Sequence, residues 1–162
     1  MLGVVRFYDV AVFIHVAAVV IGFGVTFSYP IFLRHAVRSA PRSMPYLLTT
    51  IDTVGRAVIG PNALLILISG IYLVSDGPFD YGDTFVSVGL PIIIVLILVG
   101  PLFFGRKGRQ LEGIASRDID AAGTGEVKLS AEFDAVLGQI MSVGYVTDLL
   151  VLIALFFMIV KP

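Results

Sequence analysis

Two residues embedded in apolar sequence have side chains that could do chemistry. His15 is the only group between Asp9 and Leu33 that titrates near neutral pH, and Asp148 is the one carboxylate between Val136 and Val160. A neutral imidazole can ligate a heme iron or a copper ion, relay a proton, or make one interhelical hydrogen bond. A carboxylate at the centre of a membrane helix costs about 2.5 to 3.5 kcal/mol on insertion scales, so Asp148 must be paired or protonated.

Spacing narrows these roles. Steps of three and four from His15 put Ala11, His15, Ala18, Gly22, Thr26 and Tyr29 on one helix face, with Phe13, Val16, Val20, Phe23 and Phe27 on the other. Small residues let helices approach and lipid offers an imidazole no partner, so the His15 stripe is expected to face protein. The second histidine, His35, lies 20 residues further on. That is about 30 Å along a helix, so one chain cannot bring both to one metal ion. Placed between Arg34 and Arg38, His35 reads as a surface group. Asp148 lies 13 residues before Lys161, about 20 Å in from that end, whereas His15 is only about 9 Å from a boundary at Asp9. Asn62 and Arg56 enter at a depth closer to that of Asp148. A structural bond from one of them to Asp148 is favoured over a proton-carrying carboxylate.

The elements holding these residues follow from composition. Of 162 residues, 57% are hydrophobic and 14% charged, and the mean hydropathy is +0.99. Soluble domains run at about 45 to 50% apolar and about 25% charged, so a lipid bilayer is the natural solvent. Four segments, about 9–33, 57–74, 84–104 and 136–160, have the roughly 20 apolar residues that a membrane helix needs. None shows the alternation of a membrane strand. The expected fold is therefore all-α: a single transmembrane domain built as a four-helix bundle.

Charge sets the orientation. Arg34, Arg38, Arg42, Arg56, Arg106, Lys107, Arg109, Arg117 and Lys128 fall between spans on one side, against Arg6 and Lys161 on the other. The positive-inside rule then puts that side in the cytoplasm and both termini outside, in a bacterial inner membrane. Residues 105–130, rich in Gly, Ala, Asp and Lys, read as a cytoplasmic loop too short and polar for a core. Ser130 followed by Glu132 and Asp134 reads as the start of the last helix. A net charge of -1 argues against nucleic acid as a partner, and 0 Cys excludes a disulfide framework, a thiolate nucleophile and a thiolate metal site. Nothing has the spacing of a hydrolytic triad, a carboxylate pair, a phosphate loop or a zinc signature. Asp52 and Arg56 are spaced to pair on a helix surface, and Gly60-Pro61 marks a kink.

The motif Ile14-His15-Val16, with Gly22-Phe23-Gly24 and then Arg34-His35-Ala36, resembles the first helix of the HemJ-type protoporphyrinogen oxidases and is similar to the CopD-like membrane proteins. The second span continues the likeness with Asp52, Arg56, Val58, Pro61, Ala63 and Gly70-Ile71-Tyr72-Leu73, and the chain ends in Met158-Ile159-Val160-Lys161-Pro162. The loop, the helix start at Leu129-Ser130 and this ending look most like an uncharacterised bacterial family of predicted integral membrane proteins related to both groups. The resemblance covers about two thirds of the chain. It implies four helices, a heme b site and His15 as an axial ligand. The third helix departs from the pattern: Phe85-Val86-Ser87-Val88-Gly89-Leu90 has neither the His nor the Lys of the HemJ-type stretch, so only His15 carries over.

The expectation is a non-enzymatic membrane component with a small-ligand or interhelical site around His15. The alternative is a heme b redox protein in which the other axial position is open, or is supplied by Met158 or by His15 of a second chain in a homo-oligomer. A CopD-like role in copper handling would have only His15 and Met158 as ligands in one chain, too few for a site.

Overall fold

A computed structural model describes residues 6–161. Of the described residues 87% are helical, and among them are four long helices and no strand. The first long helix comprises α1 (Phe7–Phe23), a 3₁₀ turn at Thr26–Ser28 and α2 (Tyr29–Ser39). The second comprises a 3₁₀ turn at Pro41–Ser43, α3 (Met44–Val54), a π-helical turn at Gly55–Ile59 and α4 (Gly60–Asp76). The third comprises α5 (Thr84–Val99), a second π-helical turn at Gly100–Phe104 and α6 (Gly105–Ala122). The fourth is α7 (Ala131–Val160). Each is long and apolar enough to cross a membrane.

Each π turn adjoins a proline, which lacks an N–H for the regular ladder: Pro61 follows the first turn and Pro101 lies within the second. In each the ladder shifts its register by one residue. Each shift closes between glycines: the Gly60 N–H donates to the Gly55 carbonyl, and the Gly105 N–H to the Gly100 carbonyl. Both turns sit at the end of the molecule where the basic residues cluster, one on each of two adjacent antiparallel helices. The kink expected at Gly60-Pro61 is thus a wide turn that begins one turn earlier.

The long helices run 30 to 39 residues, about 45 to 58 Å at 1.5 Å per residue, well beyond about 30 Å of hydrocarbon. The excess gathers at the basic end. There Leu33, Ala36, Met44, Leu48, Leu111, Ile114, Ala115, Phe133, Val136 and Leu137 form a core of their own. A separate core inside the apolar belt is made by Ala18, Phe23, Ala63, Ile66, Ile93 and Val151. The apolar side chains that face outward, such as Phe13, Val20, Ile68, Leu98, Leu152 and Phe156, ring this second core.

The head formed at the basic end corrects the reading of 105–130 as a loop. Up to Ala122 the stretch is helix, and Leu111, Ile114 and Ala115 are its buried stripe. The segment is too polar to bury a core alone. Helical spacing concentrates its few apolar residues on one side, and α3, α2 and the start of α7 supply the opposite walls. The connection proper is short, and Arg42 holds it by donating to the carbonyls of Gly123 and Gly125 at 2.7 and 2.6 Å. The start expected for α7 is found: Ser130 Oγ accepts from the Phe133 N–H at 3.3 Å. Asp118 accepts the Ser130 N–H at 2.8 Å, and Arg117 pairs with Glu132 at 2.8 Å.

Within the bundle α1 packs along α4, α4 against α5, and α5 against α7. The first and fourth long helices meet at the 3₁₀ turn Thr26–Ser28. Ala11, Ala18 and Gly22 of the expected inner stripe are buried, and Phe13, Val16 and Val20 are exposed. Phe23 is the exception on the outer list. It lies at the edge of that face where α7 crosses, and it packs into the membrane core with Val151.

Candidate functional site

His15 is carried on α1 and faces α4. Its Nδ1 lies 2.9 Å from Ser69 Oγ, and Gly70 supplies the floor: a Cβ there would stand 3.2 Å from His15 Cε1. Ser69, 7% exposed, has one hydroxyl hydrogen and also lies 2.5 Å from the Leu65 carbonyl. A serine one turn along a helix returns its hydrogen to that carbonyl. Ser69 Oγ then receives a hydrogen from His15 Nδ1, and the network assigns the imidazole a bare lone pair at Nε2. That tautomer suits a metal or a hydrogen-bond donor.

The remainder of the α1–α4 seam holds the ring in place. Gly22 sits against Asn62, where a Cβ on the glycine would come within 2.8 Å of Asn62 Cβ. Towards the other end, the rings of Phe7 and Tyr72 meet edge to face with centroids 5.4 Å apart. His15 is thus one rung of a close-packed antiparallel pair.

Asp148 has a different partner from the one expected. Thr26 Oγ1 lies 2.7 Å from Asp148 Oδ1 and 2.8 Å from the Phe23 carbonyl. Asn62 instead turns its amide back to the Val58 carbonyl at 2.8 Å, and Arg56 pairs with Asp52 as their spacing predicts. The reason is which helices adjoin. Asn62 is on α4 at the close approach to α1, while α7 meets the first long helix at its 3₁₀ turn, where Thr26 lies opposite Asp148. Tyr29, one turn on, has a buried hydroxyl with no hydrogen-bond partner among the described residues.

Met158, the other residue considered for a heme, turns its methyl onto Gly89 of α5, where a glycine Cβ would be 2.5 Å away. It therefore serves the α5–α7 seam. His35 is exposed. Among the described residues no three His, Asp or Glu side chains are grouped to hold a metal ion.

No family model matches the chain, and no curated protein or solved structure matches it. Two open cavities lie at the end carrying Arg6 and Lys161. One of about 340 Å³ is lined by Phe79, Asp83, Thr84, Phe85 and Lys161, with Lys161 Nζ 4.2 Å from the Phe79 ring centroid. The other, of about 500 Å³, is lined by Arg6, Phe7, Tyr8, Asp76 and Phe79. Neither is lined by His15 or Asp148.

Sequence reasoning missed Ser69 and gave Thr26 no partner. Ser69 does carry a signal: it is the only hydroxyl between Asn62 and Tyr72, on the span that must cover the His15 stripe.

Proposed function

We propose that this is a multi-pass component of a bacterial cytoplasmic membrane, without catalytic machinery of its own. Its first two spans are clamped by His15 and Ser69, and the free Nε2 of His15 is the point at which a small ligand with a hydrogen-bond donor would bind. The observation that carries this is the 2.9 Å contact between His15 Nδ1 and Ser69 Oγ, which gives the imidazole a structural partner on one nitrogen and leaves the other lone pair available. Orientation follows from charge: the basic head is cytoplasmic and the ends of α1 and α7 away from it are external.

A second reading, a heme b protein of the HemJ and CopD-like group, is supported by the same tautomer, since an axial histidine presents a bare nitrogen to iron and donates its other N–H. The surroundings fit a porphyrin poorly. The ring lies directly on Gly70, Met158 is engaged with Gly89, and the two open cavities are lined by other residues.

A visible absorption spectrum of protein purified from cells supplied with a heme precursor separates the two. The proposal expects no Soret band. A band lost in His15→Ala would replace it with the heme reading. Without such a band, loss of thermal stability in both His15→Ala and Ser69→Ala would support the clamp.

A further inference from the structure

The contacts around Asp148 contain one hydrogen too few for a carboxylate. Thr26 Oγ1 has two oxygen neighbours, the Phe23 carbonyl at 2.8 Å and Asp148 Oδ1 at 2.7 Å, and a hydroxyl has a single hydrogen. If Asp148 is ionised, one of these short contacts sets two acceptors against each other. If Asp148 carries a proton, both are hydrogen bonds: the carboxyl O–H donates to Thr26, and Thr26 donates to the Phe23 carbonyl.

The surroundings agree. Asp148 makes no ion pair among the described residues, whereas Asp9, Asp52, Asp118 and Glu132 each have an arginine within 4.0 Å. Of the packed elements, α4 and α5 supply no cation, and Arg34 of the first long helix makes no ion pair among the described residues. The α5 helix has no charged residue, α4 has none before Asp76, and α7 has none besides Asp148 between Val136 and Val160. On the first long helix, Thr26 and Ser28 of the crossing turn and the hydroxyl of Tyr29, which has no partner among the described residues, are the polar groups nearest in sequence to the crossing. Beyond them Arg34 lies over the Tyr145 ring, 6.0 Å from its centroid. On α7 itself, Thr147 turns its hydroxyl to the Gly144 carbonyl at 2.8 Å, and Val146 and Leu149 are exposed to the apolar belt. An unpaired charge there is costly, and a carboxyl can avoid the cost by neutralising.

We infer that Asp148 is a proton-binding site within the membrane, holding its proton against Thr26 as the neutral acid. The exchange balances without a co-reactant. Releasing the proton leaves a carboxylate, and the Thr26 hydroxyl rotates its hydrogen from the Phe23 carbonyl to Asp148. The Thr26 hydrogen is therefore the element with two positions, and the first and fourth long helices are joined in both.

The test uses the full chain in lipid vesicles at neutral pH. Dicyclohexylcarbodiimide reaches apolar sites and modifies protonated carboxyls, so mass spectrometry should find its adduct on the peptide carrying Asp148 and lose it in Asp148→Asn. Infrared difference spectra of protein labelled with carbon-13 aspartate, which need no variant, should show a protonated carboxyl stretch that shifts in heavy water. In Thr26→Val that stretch should move to the frequency of a carboxyl without a hydrogen bond. An ionised carboxylate signature at neutral pH with no adduct at Asp148 would overturn the inference. Protection of the adduct by sodium ions at constant pH would also overturn it, because a metal cation would then occupy the site.

Discussion

Gly22 and Asn62 meet across the α1–α4 seam with no room for a methyl group, since a Cβ on Gly22 would stand 2.8 Å from that of Asn62. The two backbones are held at the distance that lets His15 reach Ser69 further along the same seam.

Gly22→Ala should therefore force the helices apart and cost about 1 to 3 kcal/mol, as other overpacked sites do. Gly144→Ala on α7, where a Cβ meets nothing within 4 Å, should be neutral or gain a few tenths up to about 1 kcal/mol from helix propensity. Thermal melts in a mild detergent would read both. Equal tolerance of the two would show that the seam is looser than described.

Ser69→Ala leaves His15 Nδ1 without its partner and should destabilise by about 1 to 3 kcal/mol. The effect should be mostly absent when His15 has already been changed to Ala. A double-mutant cycle that came out additive would mean that the two side chains do not interact.

The head predicts a contrast between two phenylalanines. Phe133 is 0% exposed in the head core and Phe156 is 56% exposed on the apolar belt. Phe133→Ala should cost about 3 to 5 kcal/mol, and Phe156→Ala should change the melting temperature little, because lipid or detergent covers that position in either case. Limited proteolysis should locate the damage of Phe133→Ala at residues 105–130.

Asp118 gives the head a dependence on pH. The Ser130 N–H it accepts, more than the nearby Arg117, holds its carboxyl below the ordinary carboxylate value. A group lowered on folding stabilises fully above its unfolded value and loses that contribution as the pH falls through the folded one. Asp118→Asn should thus melt lower than the parent at neutral pH, and the gap should close on acidification. Ser130→Ala, which removes the cap itself, should cost about 0.5 to 2 kcal/mol and persist at acid pH.

Topology can be checked with reporter fusions. Those at Gly123 should report cytoplasm, and those at Gly82 and at the C-terminal end the opposite side. A reversed pattern would invert the orientation assigned from charge.

Much was legible in the sequence because it depends on residues close together along the chain. Twenty apolar residues in a row make a membrane helix wherever it packs, so the four spans, the cap at Ser130, the Asp52–Arg56 pair and the inward face of His15 could all be read from spacing. The partners across helices could not. Whether Asp148 meets Asn62 or Thr26 depends on which helix lies beside α7 and at what height, a matter of packing among four helices whose apolar faces differ little. The head was hidden for a related reason: Leu111, Ile114 and Ala115 are too few to announce a core until Met44, Leu48 and Phe133 are brought against them from two other stretches of chain. The tertiary structure decided these pairings because the backbone fixes only which side of a helix a residue is on, and only the neighbouring helix determines what it meets there.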